Sequence, residues 1–237
     1  MKKGFTLAEV LITLAVIGIV AALTIPVVVH NYQKKALYTQ FMKTYNSIAT
    51  AISLATADHG DISGWNWGGK RWNPNTETYD EIAGDNPFGN YILPNLKYNK
   101  VCENFEDCFA DSYSLLNGDT SMEPDAENPE EYTLASELSQ YATNPVVLAD
   151  GATIAVSGSS SDIMFVIDTN GKKGPNVLGR DFFMMYYRAE YDGEPEGFEF
   201  DEDADFDTSC NPNSNDTSSA AGYGCAQRLI QEGKMNY

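Results

Sequence analysis

Basic side chains are scarce in this 237-residue sequence: 15 Lys and Arg stand against 34 Asp and Glu, a formal charge of −19. So acidic a chain offers no basic face for phosphates, which excludes direct nucleic acid binding. Histidine is limited to His30 and His59, and neither has a neighbouring nucleophile or metal-ligating cluster. Walker loops, dinucleotide fingerprints and serine elbows are missing. Carboxylate pairs can be drawn almost anywhere among so many acids and single out no hydrolytic site. The sequence reads as that of a protein that is not an enzyme. Cysteine is held to four residues, Cys102, Cys108, Cys210 and Cys225, with no CxxC pair. They permit three complete pairings. The expected ones are the local loops Cys102–Cys108 and Cys210–Cys225, with a zinc site or free buried thiols as the alternatives.

Charge is also missing from one long stretch. After Met1–Gly4 (MKKG), residues Phe5–Val29 are almost unbroken apolar sequence, interrupted by one acid, Glu9, and one proline, Pro26. At about 1.5 Å per residue this run is long enough to cross a hydrocarbon layer of roughly 30 Å. A secretory signal would have a shorter apolar core and a small-residue cleavage site, and Pro26–Val29 offers none. A plain anchor leaves Glu9 unexplained, because a carboxylate at bilayer depth costs roughly 2.5–3.5 kcal/mol even on the lenient insertion scale. Lys2 and Lys3 favour a cytoplasmic start and an extracytoplasmic remainder. Lys34 and Lys35 weaken that charge argument, while the cysteines and the acidic bulk support it.

Lys3-Gly4-Phe5-Thr6-Leu7-Ala8-Glu9 resembles the cleavage and methylation site of type IV prepilins and type II secretion pseudopilins. The resemblance implies cutting after Gly4 and methylation of the new Phe5 amine by a prepilin peptidase/N-methyltransferase. It further implies that Glu9 pairs with the Phe5 amine of a neighbouring subunit and sets register during assembly. Phe5 and Glu9 are also i,i+4 neighbours within one chain, so intrachain pairing stays open. Thr6, Gly18 and the run Leu11–Leu14 fit the same pattern. Pro26 reads either as a tolerated kink or, by resemblance, as a softening that helps subunits pack in a filament. The implied partners are other pilin or pseudopilin subunits and an inner-membrane assembly platform. The implied location is the bacterial inner membrane, single pass, with the outer domain carried into a periplasmic or surface filament.

The helix is expected to continue past the membrane. Leu37, Phe41, Tyr45, Ile48, Ile52 and Ala55 recur at steps of three and four, an apolar stripe of helical period, with Gly60 as the stop. A helix over 5–58 would be on the order of 80 Å long. Residues 61–98, which include Trp65, Trp67 and Trp72, read as irregular. The tryptophans anchor a loop in one reading and form a ligand-stacking surface in another. Ser121–Pro129 reads as a loop and Leu134–Tyr141 as a short helix. Val146–Leu148, Thr153–Val156 and Ile163–Ile167 read as antiparallel strands, with a turn at Asp150-Gly151. Phe182–Tyr187 is a fourth, too continuously apolar to leave one face in water. Glu190–Asp207 holds ten acids in 18 residues and reads as a solvated loop. Ala226–Gln231 reads as one or two helical turns.

The expected fold class is α+β. A pilin-like long N-terminal helix, half transmembrane and half amphipathic, packs on a small antiparallel sheet. The divisions are leader 1–4, transmembrane half 5–29, amphipathic continuation 30–59 and an extracytoplasmic globular domain 60–237. Within that domain, Asp168-Thr169-Asn170-Gly171-Lys172-Lys173-Gly174-Pro175-Asn176, then Gly179 and Asp181, resembles a D-x-N-G-x-x-G-P-N-x-x-G-x-D-x-F pattern of pseudopilin-like proteins. Its alternate oxygen-bearing residues start like a calcium loop, but Lys172 and Gly179 stand where an EF-hand needs ligands. Two readings remain: a tight Asx-type turn oriented by Asp181, or Ca2+ held by some of Asp168, Asn170, Asn176 and Asp181. The C-terminal run Gly222–Ile230 also resembles endings in that group. The function implied is a structural subunit of a type II secretion pseudopilus or type IV pilus-like filament. The alternative is a membrane-anchored minor pilin acting as a ligand-binding or adhesion module.

Overall fold

The computed structural model describes residues 4, 6–73, 78–120, 133–159, 161–190, 196–199, 205–213 and 221–237. Phe5 and Ser121–Pro129 lie outside them, as does much of the acidic run.

Helix α1 spans Leu7–His59, 53 residues. It starts at a capping box, with Thr6 as N-cap and Glu9 three residues into the first turn. It stops at Gly60, whose φ of 78° suits glycine and whose N–H returns to the Thr56 carbonyl. The helix runs through Pro26, which leaves the Ala22 carbonyl without its usual backbone donor. The two halves of α1 differ in what covers them. From Leu7 to Val29 nearly every side chain is exposed, whereas Phe41, Thr44, Ile48, Ala51, Ile52 and Ala55 are buried. Leu37, Tyr38 and Tyr45 pack partly against the same core. The buried steps of three and four are one helical face.

That face lies on a six-stranded antiparallel meander, ordered β3-β4-β5-β6-β7-β8. A separate hairpin joins β1 (Gly69–Asn73) to β2 (Thr78–Ile82). The meander comprises β3 (Tyr98–Val101), β4 (Thr143–Leu148), β5 (Thr153–Gly158), β6 (Asp162–Asp168), β7 (Phe182–Arg188) and β8 (Gly197–Phe198). The β6–β7 register sets Phe165 opposite Met185 and Ile167 opposite Phe183, so these residues share a sheet face. Phe183 meets Phe41 of α1 at 4.4 Å between ring centroids, and Phe198 meets Tyr45 at 5.0 Å. The opposite face of β7 is covered too: Phe182 lies 4.1 Å from the Tyr113 ring and 6.4 Å from Phe109. Burial on both faces explains the unbroken apolar run that begins β7.

Short α-helices among the described residues include α2 (Phe105–Cys108), α3 (Leu134–Tyr141), α4 (Phe206–Ser209) and α5 (Cys225–Glu232). Disulfides join Cys102 to Cys108, across the end of β3 and α2, and Cys210 to Cys225, where α4 meets α5.

Two parts of the sequence reading are corrected. Residues 61–98 are not irregular throughout, since they hold β1, β2 and the start of β3. The hairpin has polar strands without apolar alternation, and β3 is an exposed edge strand, so neither carries a burial pattern to read. Within the acidic run, Gly197–Phe198 pairs with β7. Phe198 sits among Tyr45, Phe165 and Tyr187, and this aromatic contact holds a charged segment to the sheet.

Candidate functional site

The N-terminal tip comes first. Gly4 is exposed, and Thr6 and Glu9 form a reciprocal cap. Glu9 N–H donates to Thr6 Oγ1 at 3.2 Å, while Thr6 N–H and Oγ1–H both donate to Glu9 Oε2 at 2.8 Å. Glu9 Oε1 has no partner among the described residues. The cap satisfies two backbone donors at the helix end but neutralises no charge. The carboxylate therefore stands at the end of an apolar rod whose membrane-length segment is unburied, with one oxygen free for a cation. Pro26 lies in the same exposed segment, about 25 Å along the axis from Glu9.

The 168–181 turn brings the four oxygen-bearing candidates together. Asp168 ends β6 and Asp181 precedes β7, and both are fully buried. Tyr113 Oη donates to Asp168 Oδ2 at 2.6 Å and accepts from Ala110 N–H at 3.0 Å. Asn170 N–H donates to Asp168 Oδ1 at 3.1 Å. Asp181 accepts from Val177 N–H at 2.8 Å, Asn176 N–H at 2.9 Å and Asn170 Nδ2 at 3.2 Å. Burial pushes the Asp168 carboxyl up to about 7 against the lowering effect of the Tyr113 bond, and it also raises Asp181. Asp181 is thus held by the turn's own donors, and Asp168 by the Asn170 N–H, an Asx-type bond, together with the distant Tyr113 hydroxyl.

Asn170 Oδ1 and Asn176 Oδ1 are buried without a hydrogen-bond partner. Two carboxylates and two amide oxygens are hard donors of the kind calcium takes, though fewer than its usual six to eight. Among the described residues no three His, Cys, Asp or Glu side chains converge on a metal position. No feature of the sequence pointed to Tyr113, because its partner lies 55 residues away.

Trp65 and Trp67 do not form an open platform. Trp65 is buried, its Nε1 donates to the Gly60 carbonyl at 3.0 Å, and its ring meets Tyr91 edge-on at 5.3 Å. Trp67 is partly buried and lies over Gly158, where an added Cβ would sit 2.1 Å from the ring. The side chain of Trp72 is outside the described residues. His59 stacks on Tyr91 at 4.2 Å, and His30 stands beyond the apolar segment, far from it along α1.

Residues 1–25 match the prokaryotic N-terminal methylation motif. The chain is 34% identical over 61 residues to prepilin peptidase-dependent protein D of Escherichia coli (strain K12). That stretch is 26% of this chain and 41% of the relative, so the match spans about two fifths of the relative's length. No solved structure matches. The methylation motif and this partial likeness are features consistent with a pilin-like protein processed by a prepilin-type system. The apolar helix near the chain start fits a membrane-anchored topology. Residues 27–233, the lower half of α1 and nearly all of the domain, match the model described as a family of unknown function (DUF6613), and the chain belongs to that family.

Proposed function

We propose that this protein is a structural subunit of a type II secretion pseudopilus or type IV pilus-like filament, cut after Gly4 by a prepilin peptidase and methylated at Phe5. The observation that carries the reading is Glu9. It sits at the tip of a fully exposed apolar helix with Oε1 unpartnered among the described residues. Cleavage would place a cationic amine one turn from it, and a neighbouring subunit's amine would complete the ion pair that the bilayer demands. The exposed apolar half of α1 would bundle with copies of itself or related subunits, leaving the acidic domains as the fibre surface. Its work is assembly on an inner-membrane platform. The choice between secretion and pilus systems rests on resemblance, with a lean toward secretion. The adhesion alternative loses its main support because Trp65 is buried and Trp67 is packed.

The test is the mass of the amino-terminal peptide after expression with the native peptidase, together with fibre incorporation of Glu9→Ala. A methylated Phe5 terminus and a Glu9→Ala variant that inserts into membranes but is lost from fibres are expected. A Met1 terminus would leave a plain anchor, and normal incorporation of Glu9→Ala would remove the register role.

Calcium in the 168–181 turn is a separable part of the proposal, supported by the two orphaned amide oxygens. If Asn170 and Asn176 add to Asp168 and Asp181 as ligands, millimolar calcium raises the melting temperature of the full chain in detergent. An unchanged melting temperature would assign the turn a purely structural role.

A further inference from the structure

Two clefts flank α1 just beyond its apolar segment. One, of about 440 Å³, is lined by His30, Lys34, Leu37, Pro175, Arg180 and Tyr237, among others. The second, of about 360 Å³, shares Lys34 and adds Lys35, Tyr38 and Lys234. Among the described residues neither lining contains an Asp or Glu side chain, although the chain as a whole carries a formal charge of −19. Three cations of the domain are paired with carboxylates: Lys43 with Asp150 at 2.9 Å, Arg188 with Glu199 at 2.8 Å and Arg228 with Glu232 at 2.9 Å, among the described residues. Lys34 is half-buried, and among the described residues neither it nor Arg180 has a carboxylate within salt-bridge distance.

We propose that the larger cleft binds the phosphate headgroup of an anionic phospholipid, using Lys34 and Arg180, where α1 leaves the membrane. The inference rests on the membrane-anchor reading above. Lys34 lies five residues past Val29, about 8 Å along the helix, a rise comparable to the roughly 5–8 Å depth of the headgroup layer. Ala36, Leu37, Pro175 and Met235 give the cleft an apolar side for the glycerol backbone and first acyl methylenes.

The 168–181 turn positions the clamp. Asp181 holds the backbone of Asn176 and Val177, the Arg180 N–H returns to the Val177 carbonyl at 2.9 Å, and Tyr237 Oη donates to the Gly179 carbonyl at 2.6 Å. Arg180 therefore sits on a braced loop, and the buried turn acquires a purpose beyond its own stability. A second copy's acidic surface would offer the same charge. The lipid is favoured because the cleft opens at the level where phosphates are already concentrated.

The test is native mass spectrometry of the full chain in neutral detergent, titrated with phosphatidylglycerol or phosphatidylcholine of identical acyl chains. Phosphatidylglycerol should be retained at least about tenfold better. Lys34→Gln and Arg180→Gln should each lower that retention about fivefold, the usual weight of one cation at an anionic surface, while Lys97→Gln leaves it unchanged. Equal retention of the two lipids would overturn the inference, as would displacement by millimolar inorganic phosphate, which would make this a free-anion site. Salt-sensitive self-association abolished by Lys34→Gln would also overturn it, in favour of a second copy. Alkaline carbonate extraction of membranes separates the two readings. Release of the chain would defeat the anchor itself, whereas a retained chain without headgroup selectivity would defeat this inference alone.

Discussion

Two buried carboxylates, Asp168 and Asp181, are both raised by desolvation and make the domain respond to pH. Asp168 is fully buried, and its carboxyl is pushed up to about 7 chiefly by desolvation. A raised folded value means the native state holds a proton that the unfolded chain has released. From pH ~4, near the unfolded value, up to about 7, stability therefore falls as pH rises, by an amount on the order of a few kcal/mol. The melting temperature of the full chain in detergent should be higher at pH 5.5 than at pH 8. Self-repulsion among the many acids works in the same direction, so the comparison needs Asp168→Asn. That variant should show a smaller pH slope, and an unchanged slope would mean that Asp181 and the surface acids cause it. Tyr113→Phe removes the hydroxyl donor to Asp168 Oδ2 and should cost about 1.5–3 kcal/mol at pH 8.

At the scale of elements, α1 is one helix in two solvents. Its lower half is a good amphipathic helix because Phe41, Ile48, Ile52 and Ala55 fall on one face, and the sequence spacing made that legible. Phe41 is the best probe of the helix–sheet seam, being fully buried against Phe183. Phe41→Ala should destabilise the domain by about 3–5 kcal/mol without altering membrane insertion, read by thermal melting alongside carbonate extraction. Strands β4 to β7 were readable for the same reason, since their alternating or continuous apolar residues report burial. Strand β3 and the β1–β2 hairpin carry no such pattern. Strand β8 is two residues inside an acidic run, held by Phe198, and no local signal distinguishes that ring from a surface aromatic.

For the whole molecule, the two disulfides are buried in the core and brace short helical segments that pack on the sheet. Cys225 starts α5 and Cys210 follows α4, and the two are 15 positions apart in sequence. A closed loop of that length is worth about 3 kcal/mol in the chain-entropy account. Paired Cys210→Ser and Cys225→Ser should lower the melting temperature by several degrees and loosen Gly179, where an added Cβ would meet the Cys225 sulfur at 2.7 Å. Proteolysis of the C-terminal segment would report that loosening, and an unchanged cleavage pattern would assign the bond a minor role. The same C-terminal segment walls both basal clefts, so the brace also supports the surface nearest the membrane.

The amino-acid sequence by itself determined the elements whose cause is local or periodic. These are the apolar span with its lone Glu9, the stripe that prolongs it, the stop at Gly60, and the strands with a face to bury. Each is set by transfer free energy or backbone geometry acting over a few neighbouring residues. Only the tertiary structure decided what distant residues do to one another. It brought Tyr113 onto Asp168 and buried Trp65 against the end of α1. It also gathered Lys34, Arg180 and Lys234 from far-apart segments around the foot of the helix. Those contacts depend on how the sheet folds back over α1, and the sequence carries no periodicity from which such a closure can be read.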